Sequence, residues 1–133
     1  MARTRSKQSN HSPVGWYVAT YVHRFVVLDE DNEDMSRRYT TWKNTILVKA
    51  ESPNEAYRKA IKVGKLGCKP YENMNGQKVR FVYEGLSSLV PIYEELADGS
   101  EIFWSSQVSQ LRTIRKMVKS KGELEAFERE VDV

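Results

Sequence analysis

An α+β fold with a mainly antiparallel sheet is predicted for this chain on three observations. Residues 16–28 and 38–50 are two runs rich in β-branched and aromatic side chains, joined by a polar linker. A strong helix start, Ser52-Pro53-Asn54-Glu55, follows the second run. Beyond the helix, further extended runs alternate with turn signals. The expected order is β-β-α-β-β-β, closed by a C-terminal amphipathic helix.

The first run lacks Gly and Pro, and its two faces are both largely apolar or aromatic: Trp16, Val18, Thr20, Val22, Arg24, Val26 and Leu28 against Tyr17, Ala19, Tyr21, His23, Phe25 and Val27. A strand of that kind needs cover on both sides, from helices or from a second subunit. With the second run it reads as an antiparallel hairpin. Ser52 can cap the amide of Glu55 while the Glu55 carboxylate reaches back, and Pro53 sits where its missing N–H is harmless. The helix is expected to run to Lys65, turning Ala56, Tyr57, Ala60, Ile61 and Gly64 to the sheet, with Gly64 or Gly67 ending it. Residues 68–77 read as a loop with an Asn75-Gly76 turn. A strand over residues 78–86 places Val79, Phe81 and Tyr83 on one face, and Gly85 marks a bulge or a close approach. Residues 89–96 continue extended, with Pro91 at a sheet edge, and Asp98-Gly99 turns the chain into a last strand over residues 100–104. Residues 107–131 carry apolar side chains at helical steps, and Gly122 divides a basic half from an acidic half.

The chain has 133 residues, of which 40% are hydrophobic and 29% charged, the profile of a single domain able to bury about two thirds of its surface. A lone Cys68 rules out an intramolecular disulfide and a multi-cysteine metal site, and it suits a reducing compartment. No run approaches a membrane span and no cleavage site follows the basic start, so a cytoplasmic protein without membrane attachment is expected. Residues 1–12 read as a disordered basic arm, residues 13–106 as the α+β domain and residues 107–133 as the terminal helix. Arg3, Arg5 and Lys7 supply the whole net charge of +3, so the remainder is neutral and the basic balance is weak evidence for a polyanion partner. Its charges are blocked: five acids in residues 29–34, five bases in residues 58–69, five more in residues 112–121, and five acids against one Arg in residues 123–132. Bases late in the first helix offset its dipole and need no ligand.

No catalytic set stands out. One histidine lies in the arm, no serine occupies a nucleophile elbow, and no phosphate-binding glycine pattern occurs. Cys68 and His23 are a conceivable nucleophile and base, ranked below an ordinary small residue beside a core histidine. The acidic linker lacks the Gly and terminal Glu of a calcium loop. No metal and no cofactor is therefore expected. For nucleic acid the ingredients are aromatic strands with interleaved bases, and the expected contacts are Arg3, Arg5, Lys7, Arg112, Arg115, Lys116 and Lys119, with Arg112, Arg115 and Lys119 along one helical face. Trp16, Tyr39 and Trp42 are the sheet aromatics expected at an interface. Long two-sided strands, an edge with Pro91 and a charge-blocked helix also suit a homodimer or a partner-docking domain.

Trp16-Tyr17-x-Ala19, Val48-x-Ala50-Glu51-Ser52 with Glu55-Ala56-Tyr57, Tyr83-x-Gly85-Leu86 and Glu95-Leu96-x-Asp98-Gly99-Ser100-Glu101 occur in this order. Together they resemble DUF4288, a family of small bacterial domains of unknown function, over residues 16–104. The resemblance implies a compact α+β domain and implies no catalytic residue. The leading expectation is a noncatalytic module, dimeric, that regulates or inhibits a protein partner, in a bacterial or phage conflict setting. The alternative is RNA or single-stranded DNA binding through the arm and the basic half of the terminal helix.

Overall fold

The computed structural model describes residues 10–127, and the chain divides into two compact units, Met1–Phe103 and Trp104–Val133. The first unit holds β1 (Trp16–Val27), β2 (Thr41–Lys49), α1 (Pro53–Lys65), β3 (Tyr71–Glu72) and β4 (Lys78–Pro91). The four strands form one antiparallel sheet in the order β2-β1-β4-β3, with α1 across one face. The α+β class and the first hairpin are as the sequence predicts. The strands after the helix are distributed differently: β4 is one strand through Gly85, and β3 is a two-residue strand inside what reads as a loop. Residues 100–104 form no strand: Ser100 closes the turn that precedes them, and a side chain takes the amide of Glu101. Ser100 Oγ bonds Glu95 O and Ala97 N, and Glu94 Oε2 accepts the amide of Glu101 at 2.8 Å.

The helix settles on the sheet through its smallest residues. Ala56, Ala60 and Gly64 recur every four positions, so they form one stripe, and all three are buried. Ala56 and Ala60 meet Tyr17, Ala19, Val48 and Ala50, with Ile46, Leu86 and Leu89 around them, and Gly64 faces Tyr83 and Tyr21. Tyr57, expected on this face, is 52% exposed, because the stripe of small residues leaves it on the flank. Ser52 Oγ accepts the amide of Glu55 at 3.1 Å, as expected of the cap, but the Glu55 carboxylate turns to the amide of Glu51. Gly64 does not end the helix. It lies within it, where a Cβ would come 2.5 Å from Cε1 of Tyr83, and the helix stops before Gly67 at φ +75°. At the chain's entry, Ser12 belongs to the folded unit: its amide donates to the Tyr17 hydroxyl, its hydroxyl donates to Ile92 O, and its Oγ accepts from Trp16 N.

Gly85 does mark a bulge, and there are two. The pairing of β1 with β4 shifts by one residue between Val22 and His23 and again between Thr20 and Tyr21, leaving Glu84 and Ser87 without opposite partners. Across an antiparallel pair opposed residues share a face, so Val79, Phe81, Tyr83, Leu86 and Leu89 all fall on the helix side. Strict alternation would have placed Gly85 and Ser87 there instead of Leu86. The bulges thus supply an apolar side chain where the helix needs one.

The opposite face of β1 is covered in part by the chain's own linker. Arg24 Nε donates to Glu84 Oε2 at 2.8 Å, and its Nη1 donates to Asn32 O at 2.8 Å. Its guanidinium carbon stands 4.6 Å from the centre of the Tyr39 ring, and Arg37 stands over the same ring at 5.2 Å. Asn32 Nδ2 donates to Val27 O, while Arg37 pairs with Glu30. The acidic linker is therefore folded back over Val26, which is 3% exposed and shares a cavity of about 220 Å³ with Asn32, Glu33 and Val82.

In the second unit the only α-helix among the described residues is α2 (Leu111–Met117). Of the expected helix over residues 107–131, residues 128–131 lie outside the described residues, and the rest is broken after α2, because Ser120 starts a new turn: the Glu123 carboxylate accepts both its amide and its hydroxyl. Short 3₁₀ turns follow at Lys121–Glu123 and Glu125–Phe127. No helix of the described residues is long and apolar enough to cross a membrane.

Two outcomes follow. Gly64→Ala gains helix propensity but drives a methyl group into the Tyr83 ring, so a net loss of about 1–2 kcal/mol is expected in urea unfolding. No loss would mean that the ring swings aside freely. Arg24→Met removes the linker's main clasp, and about 1–2 kcal/mol is expected to go with it. Amide exchange should quicken at residues 29–40, and unchanged exchange there would show that the Asn32 bond to Val27 holds the linker by itself.

Candidate functional site

Helix length decides where the sheet is left open. Thirteen residues of helix span about 20 Å, whereas the twelve residues of β1 extend about 40 Å. The helix covers the end of the sheet near Tyr17 and stops over Tyr21 and Tyr83. Beyond it the same face carries a shelf of rings from four strands. Trp42 of β2 lies 5.2 Å from Phe81 of β4, Phe25 of β1 lies 5.8 Å from Phe81 and 6.4 Å from Trp42, and Tyr71 of β3 stacks on Phe81 at 6.5 Å. The pairing places Phe25 opposite Phe81 and His23 opposite Trp42. Trp42 is 42% exposed and Tyr71 45%, while Phe25 and Phe81 are half-buried beneath them.

His23 forms the floor between the shelf and the helix end. It is 8% exposed, with Tyr21 at 4.7 Å, Phe81 at 5.7 Å and Tyr83 at 6.5 Å between ring centres. Its Nε2 is 2.6 Å from Gly64 O and 3.8 Å from Cys68 Sγ, so the fold brings together the cysteine and histidine that are distant in sequence. The wiring is that of a helix terminus. A carbonyl can only accept, so Nε2 carries the proton and donates it to Gly64 O, and the Cys68 thiol turns to the same carbonyl at 3.6 Å. With Nε2 protonated, it cannot take a proton from the thiol, and the pair serves to satisfy a helix-end acceptor. Burial pushes the Tyr83 hydroxyl above its ordinary pKa, with Tyr57 adding to the effect, and Lys65 Nζ stands 5.9 Å from the Tyr83 ring centre. Among the described residues no three His, Cys, Asp or Glu side chains are grouped to hold a metal ion. Glu84 is engaged by Arg24.

The residues expected at an interface are dispersed. Trp42 belongs to the shelf, Trp16 lies at the other end of β1 with Lys49 Nζ 5.8 Å from its ring centre, and Tyr39 is held in the Arg24 and Arg37 clasp on the opposite face. Arg112, Arg115 and Lys116 lie on α2, and Arg112 Nε donates to Gln110. Lys119 falls beyond the end of α2 and pairs with Glu125 at 2.7 Å, so it does not continue a helical face with Arg112 and Arg115. Arg3, Arg5 and Lys7 lie outside the described residues. Phe25 and Tyr71 complete the shelf and were not among the expected interface residues. The register of β1 and β4 could have pointed to Phe25, but a two-residue strand after a loop leaves little trace for Tyr71.

No curated protein and no solved structure matches the chain. The model of one family, a domain of unknown function (DUF4288), matches residues 16–104, a span that begins with β1 and takes in the sheet, the helix and every ring of the shelf. On that match, the chain belongs to the DUF4288 family.

Proposed function

We propose that this chain is a noncatalytic binding module, acting as a homodimer in the cytoplasm, that regulates or inhibits a protein partner held on the aromatic shelf. The observation that carries this reading is the pair Trp42 and Tyr71, each more than two-fifths exposed and backed by Phe25 and Phe81. Tyr and Trp dominate the binding energy of protein interfaces because they bury a large area with few rotatable bonds. Rings already packed edge to face lose little freedom on docking. The His23 bond to Gly64 supports the noncatalytic part, since it commits the one assembled base to a backbone carbonyl.

A second reading, RNA or single-stranded DNA binding, draws on Lys65 beside Tyr83 and on Arg112, Arg115 and Lys116 in α2. The engagement of Lys119 by Glu125 weighs against a continuous basic face there.

Affinity capture with the tagged full chain, compared with Trp42→Ala and Tyr71→Ala, tests the shelf. A partner enriched by the native chain is expected to fall about tenfold or more with either variant. Equal recovery would move the interface elsewhere. Labelled single-stranded RNA and DNA are measured alongside in a salt series. Tight, steeply salt-dependent binding that the same substitutions abolish would transfer the shelf to nucleic acid.

A further inference from the structure

The two long edges of the sheet differ. Beyond Val79, β4 pairs with no strand on its outer side among the described residues, but this edge carries two bulges, Gly85 at φ +148° and Pro91. Such features discourage a further strand. β2 is the other edge, with nine residues in unbroken register with β1 and neither bulge, Gly nor Pro.

The register also shows which backbone groups of β2 are free to pair. Ala50 N donates to Gly15 O and Phe25 N donates to Thr40 O, both at 2.9 Å, so the even-numbered residues of β2 bond to β1. Thr41, Lys43, Thr45, Leu47 and Lys49 therefore turn their N–H and C=O groups outward. One of these carbonyls is already occupied: Lys59 Nζ takes Lys49 O at 2.6 Å and closes that end.

We propose that two copies of this chain join by antiparallel pairing of their β2 edges about a two-fold axis at Thr45, extending four strands to a continuous sheet of eight. The inference rests on the homodimer reading above and names its interface. Pairing about Thr45 sets each outward-facing residue of β2 against another and leaves out of the ladder only the Lys49 carbonyls, which Lys59 holds. Lys43 meets the partner's Leu47, and Lys49 meets the partner's Thr41, so no like charges are directly opposed. Sliding the two-fold axis by one residue toward Lys49 would set Lys43 against the partner's Lys49, and placing it at Lys43 would set two lysines face to face. Leu47 is 50% exposed and would lie along the aliphatic stem of the partner's Lys43.

Light scattering on the full chain over the micromolar range tests the interface, with circular dichroism confirming that each variant folds. Residue 47 is exposed, so both changes there are tolerable. Leu47→Lys opposes two lysines at each of two symmetric positions and is expected to weaken the dimer about tenfold. Leu47→Glu sets a carboxylate against the partner's Lys43 and is expected to tighten it several-fold. A dimer indifferent to both changes overturns the β2 edge while leaving the dimer reading intact. A native chain that stays monomeric at high micromolar concentration overturns both.

Discussion

The close approach of helix to sheet is the constraint on which the rest depends. Ala56, Ala60 and Gly64 bring the helix backbone near enough that Tyr17 and Ala19 are sealed beneath it, and at Gly64 the space is taken by the Tyr83 ring. The same approach delivers the Gly64 carbonyl to His23, giving a buried imidazole and a helix terminus one common partner. It also sets where cover ends. Beyond that point most of the face is left to aromatic side chains, which can pack against one another without a helix above them.

Polar groups do on the opposite face what apolar groups do beneath the helix. Arg24 sits mid-strand among valines, a placement that would be costly for an unpaired charge. Glu84 meets it from a bulge, Asn32 meets it from the linker through a carbonyl, and Tyr39 offers a ring. A five-acid linker next to a strand thus becomes a lid over Val26, because one guanidinium gives it a fixed point. The bulge at Glu84 serves both faces of the sheet, since it aims a carboxylate at Arg24 and moves Leu86 under the helix.

Local signals carried much of this fold. The composition of residues 16–28, the Ser52-Pro53 cap and the bases late in α1 each state a local preference that the tertiary structure keeps. The extended run after Asp98-Gly99 and the helical spacing after Gln107 were misleading. In the first, Ser100 folds into the turn and Glu94 takes an amide that a ladder would need, and in the second Ser120 restarts the turn. The shelf was legible only in fragments. Trp42 stood out by type, but its meeting with Phe25, Phe81 and Tyr71 depends on strand order and on a helix too short to cover them, neither of which is written in any one segment. The meeting of Cys68 with His23 is equally nonlocal, and it reads as chemistry until the proton on Nε2 is assigned.

The paired bulges of β4 have a consequence for how this strand can vary in length. Each adds one residue, and each alone reverses which side chains point up or down for the remainder of the strand. Two in succession restore parity, so Leu89 and Pro91 return to the side where Val79 and Phe81 began. Loss of Glu84 or Ser87 alone would remove one bulge and leave every remaining residue opposite its present partner, and loss of both would straighten the strand with its two ends in place. The stretch can thereby shorten by one residue or by two without inverting either half, provided that the residue lost is the unpaired one, a rule imposed by pleat geometry and independent of which amino acids fill the positions.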